Sequence, residues 1–436
     1  MHIGGSAFAE EPQGRRQSFD RLRLWHVILP LFIGSVIAYL DRVNLSYAGL
    51  TMNTDLGFSA SVFGMGAGIF FAGYVLFEIP GALIAERWSA RIWLARIMIS
   101  WGLISCGMAW VKSEWQFYLV RFLLGAAEAS FYPVAYASVI PRWFTPEERP
   151  RALAILLTSL PVSAIIGSPL AGWLLTKEVM GFKGWQFVFL VEAVPALLFG
   201  IVIWFWLKDW PRDATWLPDR DKAYLRDAYE QELARKQAQK IYTVWQALSD
   251  REVLKLCLTY FLWITGFWGY NYWMPTVLKE ASGWSSIRVG WMIVIPMSLA
   301  LAGMLLVGFS SSRTGEKRWH GAVPMFIAAF GMGIGPWLSN PFASFACLCL
   351  AGIGVYGAFG VWWSYPTTFL SGAAAAGAIG LINSCGNVGG YLGPYLTGVI
   401  KDLTGSFHGA HLFLALSLLA AGLLMLTLRN DRQTTR

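Results

Sequence analysis

The sequence predicts an all-α membrane protein: twelve transmembrane helices in two six-helix halves, with both termini cytoplasmic. Three observations carry this prediction. Of the 436 residues, 56% are hydrophobic and only 14% charged, whereas soluble domains carry about a quarter charged residues. The charges gather in short clusters separated by apolar runs of roughly twenty residues, the length that crosses a hydrocarbon core as a helix. The two halves of the chain also echo one another in sequence.

The apolar runs fall near 25–47, 60–85, 92–111, 115–138, 151–175 and 185–207, then, after a charged stretch, near 253–277, 288–310, 320–338, 343–370, 376–400 and 410–428. Gly and Pro recur inside these runs. In lipid they mark close helix packing and kinks whose freed backbone groups are satisfied by neighbours. The domain plan is a tail over 1–24, a first half over 25–207, a linker over 208–252, a second half over 253–429 and a tail over 430–436. The linker, with DKAYLRDAYEQELARKQAQK at its centre, reads as a cytoplasmic tether containing one solvated helix.

Orientation follows from the basic residues. With both termini inside, only Lys112, Lys177, Lys183, Lys279, Arg288 and Lys401 fall on the outer side, while Arg42 and Arg121 lie within spans. The remaining Lys and Arg collect in inner loops and tails, as the positive-inside rule requires. The polar N-terminus, with Arg15, Arg16, Arg21 and Arg23 before the first span, has no cleavable-signal pattern and is expected to stay in the cytoplasm.

Several function classes are excluded. The formal net charge of +8 comes from residues flanking spans, so it does not indicate nucleic-acid binding. Cys106, Cys257, Cys347, Cys349 and Cys385 all sit in apolar runs, and their odd number gives no disulfide framework. His2, His26, His320, His408 and His411 avoid the middle of every span, so neither a metal site nor a histidine proton relay is expected. No nucleophile–base constellation appears, so the chain is not expected to be an enzyme or to need a cofactor.

The internal echoes pair GALIAERWSAR with GFSSSRTGEKR at the second inner loop of each half, and IIGSPLAGWLL with YLGPYLTGVI, which places Pro169 and Pro394 at matching positions in spans five and eleven. Repeated six-helix halves are the plan of a rocking transporter. The chain resembles the major facilitator superfamily, and within it the anion:cation symporter family, whose members carry tartrate, phthalate, hexuronates and galactonate. The resemblance runs from the first span to the twelfth. It is carried by YLDRVNLSYA, FEIPGALIAERWSAR, RFLLGAAEASFYP, PRWFTPEERPRA and GLINSCGNVGGYLGPYLTG. The inner-gate motif of Glu86, Arg87, Arg91 and Arg313 departs from the usual acidic-arginine-glycine form, because Trp88, Ser89 and Ala90 follow Arg87.

Asp41, Arg42, Arg121 and Glu128 lie within spans, where each ionisable group costs about 2.5 to 3.5 kcal/mol on insertion scales. They read either as a salt-bridge cluster locking helices one and four or as a binding and coupling site. Arg121 and Glu128 share a helix face but stand roughly 10 Å apart along the axis, too far to pair directly. Gly125 between them is expected to leave cavity space. Asp41 and Arg42, roughly 100° apart around their helix, are free to face different partners. A guanidinium fork holds a carboxylate through two hydrogen bonds and stays charged at any working pH, so Arg42 and Arg121 are assigned to a substrate carboxylate. Asp41 and Glu128 are assigned to the coupling proton, because alternating surroundings let a carboxyl take up and release protons; the family resemblance implies the same.

The resemblance further implies substrate contact by Tyr39, Tyr74, Trp363 and Asn383, with Asn387 one turn beyond as a further candidate. Span five, LTSLPVSAIIG, lacks the glutamine that sugar-acid carriers often have there. Glu78 reads as part of the inner-gate network with Glu86 and Arg87, and Glu192 as structural. The expected function is import of a small organic carboxylate with protons, by alternating access, in the cell inner (plasma) membrane. The carrier is expected to be a multi-pass monomer with only that anion, protons and lipid as partners. The alternatives are an anion exchanger, with organophosphate exchange disfavoured because span seven lacks a basic residue, and a non-transporting sensor.

Overall fold

The computed structural model describes residues 21–237, 250–363, 365 and 372–428. Expectations for residues 1–20, 238–249 and 429–436, and for the end of the run drawn to 370, lie outside the described residues. The first half consists of α1 (Arg21–Leu56), α2 (Ala60–Arg87), α3 (Ala90–Trp110), α4 (Glu114–Trp143), α5 (Arg149–Leu174) and α6 (Gly184–Trp206). A linker helix, Asp219–Gln237, follows. The chain continues as α7 (Arg251–Ser282), α8 (Ser286–Thr314), α9 (Arg318–Ile334), α10 (Pro341–Trp362), α11 (Gly372–Thr404) and α12 (His408–Leu426). Among the described residues nine of these helices, all but α7, α9 and α11, are long and apolar enough by themselves to cross a membrane.

Helix ends follow from local chemistry. The side chains of Ser59, Ser89, Ser113, Asp250, Ser285 and Asn340 each accept a backbone N–H at the start of α2, α3, α4, α7, α8 and α10, satisfying donors that the first helical turn leaves open. Gly57 and Gly283 close α1 and α7 with φ of 69° and 68°, a left-handed conformation that glycine adopts without a Cβ clash. Among the described residues five helices, α1, α4, α7, α8 and α11, run four or more residues past the apolar cores seen in the sequence, because polar turns extend them beyond the hydrophobic stretch.

The perimeter is apolar, and the interior combines a large apolar core with buried polar groups. Phe205, Leu306 and Trp291 are well exposed on the perimeter, while Ser35, Ser159, Ser163, Thr259 and Arg121 are buried. This is the arrangement expected where lipid is the outer solvent. α2 packs on α11 and α5 on α8, joining the first six helices to the last six. A Cβ at Gly68 of α2 would lie 2.5 Å from the Tyr391 carbonyl oxygen of α11, and one at Gly172 of α5 would lie 2.6 Å from the Ser286 carbonyl oxygen of α8. At this end of the bundle the carboxylate of Asp402, on α11, accepts from the backbone N–H groups of Ala60 and Ser61 at 3.1 and 2.7 Å, capping the first turn of α2.

The linker helix is not a solvated tether. Leu225 is buried, Tyr229 meets the edge of Trp210 at 5.5 Å, and Glu232 pairs with Arg149 at the start of α5. Burying one apolar side chain and one ion pair docks it on the ends of α4 and α5, an outcome that its overall polarity conceals. The start of α1 is fixed nearby: Arg23 forks onto Glu148 with two contacts of 2.6 Å and donates to the Trp143 carbonyl oxygen. Burial acts to raise the Glu148 carboxyl, but the Arg23 fork and the Thr145 N–H outweigh it and hold the group below its ordinary value.

Candidate substrate and coupling site

The four intramembrane ionisable residues of α1 and α4 come together as two ion pairs. Arg42 Nη2 donates to Glu128 Oε1 at 2.5 Å, with side-chain exposures of 6% and 0%. Arg121 Nη1 stands 3.8 Å from Asp41 Oδ2, and Ser105 of α3 donates to Asp41 Oδ1 at 2.5 Å. Asp41 and Arg42 thus face different partners, and Arg121 and Glu128 do not pair with each other among the described residues.

Both guanidinium groups lie over one ring. Their central carbons are 4.9 Å (Arg42) and 5.0 Å (Arg121) from the Phe70 centroid, on α2. Arg42 is further enclosed by Tyr39, Trp268 and Tyr74, at 5.0, 5.5 and 5.7 Å from the ring centres. Aromatic faces stabilise a desolvated cation without neutralising it, leaving its N–H groups to choose a partner. Arg42 Nε, Arg121 Nη1, Asp41 Oδ2 and Glu128 Oε2 are buried without a hydrogen-bond partner among the described residues. Each such atom costs about 1 to 3 kcal/mol, so the cluster is well placed to take up further hydrogen bonds.

Arg121 also reaches beyond its own half. Its Nε donates to the Gly66 carbonyl oxygen at 3.2 Å and its Nη2 to the Tyr272 hydroxyl of α7 at 3.3 Å. Tyr272 and Trp268 are four residues apart, and their rings meet on one face of α7 at 5.3 Å, tilted by 30°. Tyr272 was not among the sequence candidates; its spacing from Trp268 is the signal that points to it.

The backbone departs from helical geometry immediately after Glu128. Ala129 is extended in ψ, and Ser130 has φ of 74°, a conformation that costs a non-glycine residue of order 1 to 3 kcal/mol. The Trp93 indole donates to Ser130 Oγ at 2.9 Å and helps hold it. Glu128 therefore terminates a helix rather than lying within one. Gly125 does not open cavity space: its missing Cβ lets α4 lie directly against the Phe70 carbonyl of α2, which carries the shared ring.

Other sequence candidates separate. Tyr39 stacks on Trp268 at 6.4 Å, and Trp363 meets the edge of Tyr260 at 5.3 Å, Tyr260 lying eight residues before Trp268 on α7. Glu78 is not grouped with Glu86 and Arg87. It is buried and accepts from Asn383 at 2.6 Å and from Asn387 at 3.4 Å, both on α11. Depth judged from sequence placed it at the helix end because its partners on α11 are a tertiary fact. The inner-gate residues divide as well: Glu86 pairs with Arg142 at 3.0 Å, Arg91 Nη1 donates to the Trp204 carbonyl oxygen at 3.1 Å, Arg87 is exposed, and Arg313 lies over Phe309 of its own helix at 4.3 Å. Glu192 is buried with neither carboxyl oxygen hydrogen-bonded among the described residues.

This geometry holds two buried cations against removable internal anions between two helical halves, as an anion carrier would require. The model of the Major Facilitator Superfamily matches residues 31–394. The chain belongs to that superfamily. It is 42% identical to a protein of Agrobacterium vitis for which tartrate transport is proposed, over 93% of each chain. It is 38% identical to NicT of Pseudomonas putida, for which metabolite transport is proposed, over 88% of this chain and 89% of that one. In fold it is similar to the inward-open xylose transporter XylE from E. coli, with a TM-score of 0.75, 14% identity, and coverage of 93% of this chain and 96% of that one. This member of the superfamily is a transporter, not an enzyme, and a multi-pass inner-membrane protein.

Proposed function

We propose that this transporter imports a small organic carboxylate together with protons, by alternating access of the halves 25–207 and 253–429. All twelve long helices then span the bilayer, with both termini cytoplasmic and the carrier acting as a monomer. One observation carries the reading: Arg42 and Arg121 are buried over a common aromatic ring and paired with the carboxylates of Glu128 and Asp41. A substrate carboxylate is the chemical equivalent of what the arginines already hold, and protonation of Glu128 or Asp41 releases a guanidinium to accept it. Proton uptake and anion binding are thereby coupled through one site. Tyr39 and Tyr74 line the Arg42 cation, and Asn383, Asn387 and Trp363 are assigned substrate contacts from the second half. The proposed tartrate activity of the Agrobacterium vitis relative supports a carboxylate cargo.

In this reading the α1–α2 end of the bundle is external, and it is closed by the α2–α11 and α5–α8 contacts. The inner-gate residues act at the opposite, cytoplasmic end. The test is uptake of labelled tartrate, sugar acids, phthalate and small dicarboxylates into liposomes holding the purified protein, with an inward proton gradient imposed and then collapsed. Accumulation that disappears with the gradient is expected. Exchange that is indifferent to the gradient would return Asp41 and Glu128 to a structural role and make the protein an anion exchanger.

A further inference from the structure

Asn383 and Asn387 stand one turn apart on α11, so their side chains leave the same face of that helix. Their amide nitrogens donate to different oxygens of one carboxylate, Asn383 Nδ2 to Glu78 Oε1 at 2.6 Å and Asn387 Nδ2 to Glu78 Oε2 at 3.4 Å. Two donors placed to take both oxygens of a carboxylate form a receptor for that group. The receptor is neutral, so it gains a charge-assisted bond only while its occupant is anionic. Its occupant comes from the other half of the molecule, where α2 carries Glu78 and packs on α11. The nearby cation Arg42 is engaged with Glu128 instead.

We propose that the Asn383–Asn387 pair is a subsite for the second carboxylate of a dicarboxylic substrate, and that Glu78 is a tethered competitor occupying it until that carboxylate arrives. The inference rests on the reading of Arg42 and Arg121 as the anchor of the first carboxylate. A molecule with a carboxylate at each end joins α1 and α4 to α11 and so ties the halves together. A monocarboxylate fills the arginine end alone and leaves Glu78 on its amides. Glu78 thereby sets selectivity for two charges over one, because only the dicarboxylate gains from its displacement.

The test is binding by calorimetry to the purified full-length protein, at one pH, of dicarboxylates each matched with a monocarboxylate of the same skeleton: tartrate with threonate, phthalate with benzoate, succinate with butyrate. Wild type is expected to prefer the dicarboxylate of at least one pair. E78Q should tighten that dicarboxylate by about tenfold, the scale of one charge-assisted hydrogen bond, and leave its monocarboxylate partner within about twofold. N387A and N383A should bring the dicarboxylate down to the affinity of the monocarboxylate. Should E78Q not purify as a folded monodisperse protein, Glu78→Asp, too short to reach both amides, replaces it. A substitution at Glu78 that shifts both members of a pair equally, or neither, overturns the proposal and leaves Glu78 a strap between the halves. Wild type that binds both members equally overturns this inference alone, whereas wild type that binds no carboxylate overturns the carboxylate reading and this inference with it.

Discussion

Arg42 on α1 and Glu128 on α4 meet at 2.5 Å, and Glu128 is the last helical residue before the chain turns through Ser130 at φ 74°. The ion pair is thus held at a break in the helix. A carboxyl placed there can change partners by local backbone adjustment, without moving a whole helix.

Glu128→Gln should uncouple the carrier. The amide still accepts from Arg42 but cannot lose or gain the proton, so counterflow of whichever carboxylate the uptake panel identifies should persist while uphill accumulation in an imposed proton gradient falls to background. Gradient-driven accumulation retained by this variant would take Glu128 out of the coupling path.

Arg121→Lys should weaken anion binding by about a hundredfold, the equivalent of about 3 kcal/mol. An ammonium cannot reach the Gly66 carbonyl, the Tyr272 hydroxyl and Asp41 together as the planar guanidinium does. Tyr272→Phe removes one of these contacts and should cost about 1 kcal/mol, near fivefold. Equilibrium binding to both variants orders the effects; a lysine variant with wild-type affinity would exclude Arg121 from the anion site.

Gly68→Val should hinder closure of the α1–α2 end, because any Cβ there meets the Tyr391 carbonyl oxygen at 2.5 Å. A cysteine placed at Ser61, near the Asp402 cap, should then react faster with an impermeant maleimide than it does in the glycine background. Equal labelling rates would mean that the two helices absorb the extra volume by sliding.

The Glu148 carboxyl is held below its ordinary value against burial by the Arg23 fork. A group depressed in the folded state adds stability above its unfolded value, about 4.3 for glutamate, and that stability is lost as pH falls through the lower folded value. Thermal unfolding in detergent should therefore show a lower midpoint at pH 4 than at pH 7, with part of that difference absent from Glu148→Gln. An identical pH profile in the variant would assign the acid sensitivity elsewhere.

The helical plan was legible because lipid imposes it: a span must be long, apolar and internally hydrogen-bonded, and each requirement leaves a mark in the sequence. Asp41, Arg42, Arg121 and Glu128 were legible for the same reason, since charge in a span is costly enough to stand out. Their pairing was not. Which of two adjacent residues meets Arg121 and which meets Glu128 depends on how α1 is rotated. Glu78 shows the limit most clearly, because its amides come from residues some three hundred positions later. The docked linker helix shows it too: one buried Leu225 decides its position within an otherwise polar segment.

At the α1–α2 end of the bundle, Gly64, Gly68 and Gly398 set α2 and α11 glycine against backbone, and Gly172 and Gly290 do the same for α5 and α8. Ordering a long side chain costs up to about 2 kcal/mol of rotamer entropy, which glycine does not have to lose. Water can take over the two N–H groups that Asp402 caps as soon as the helices part. In the proposed alternating-access cycle this contact would then form and dissolve with little frozen or freed on either side, so repeated cycling at this end need not be slowed by rotamer search.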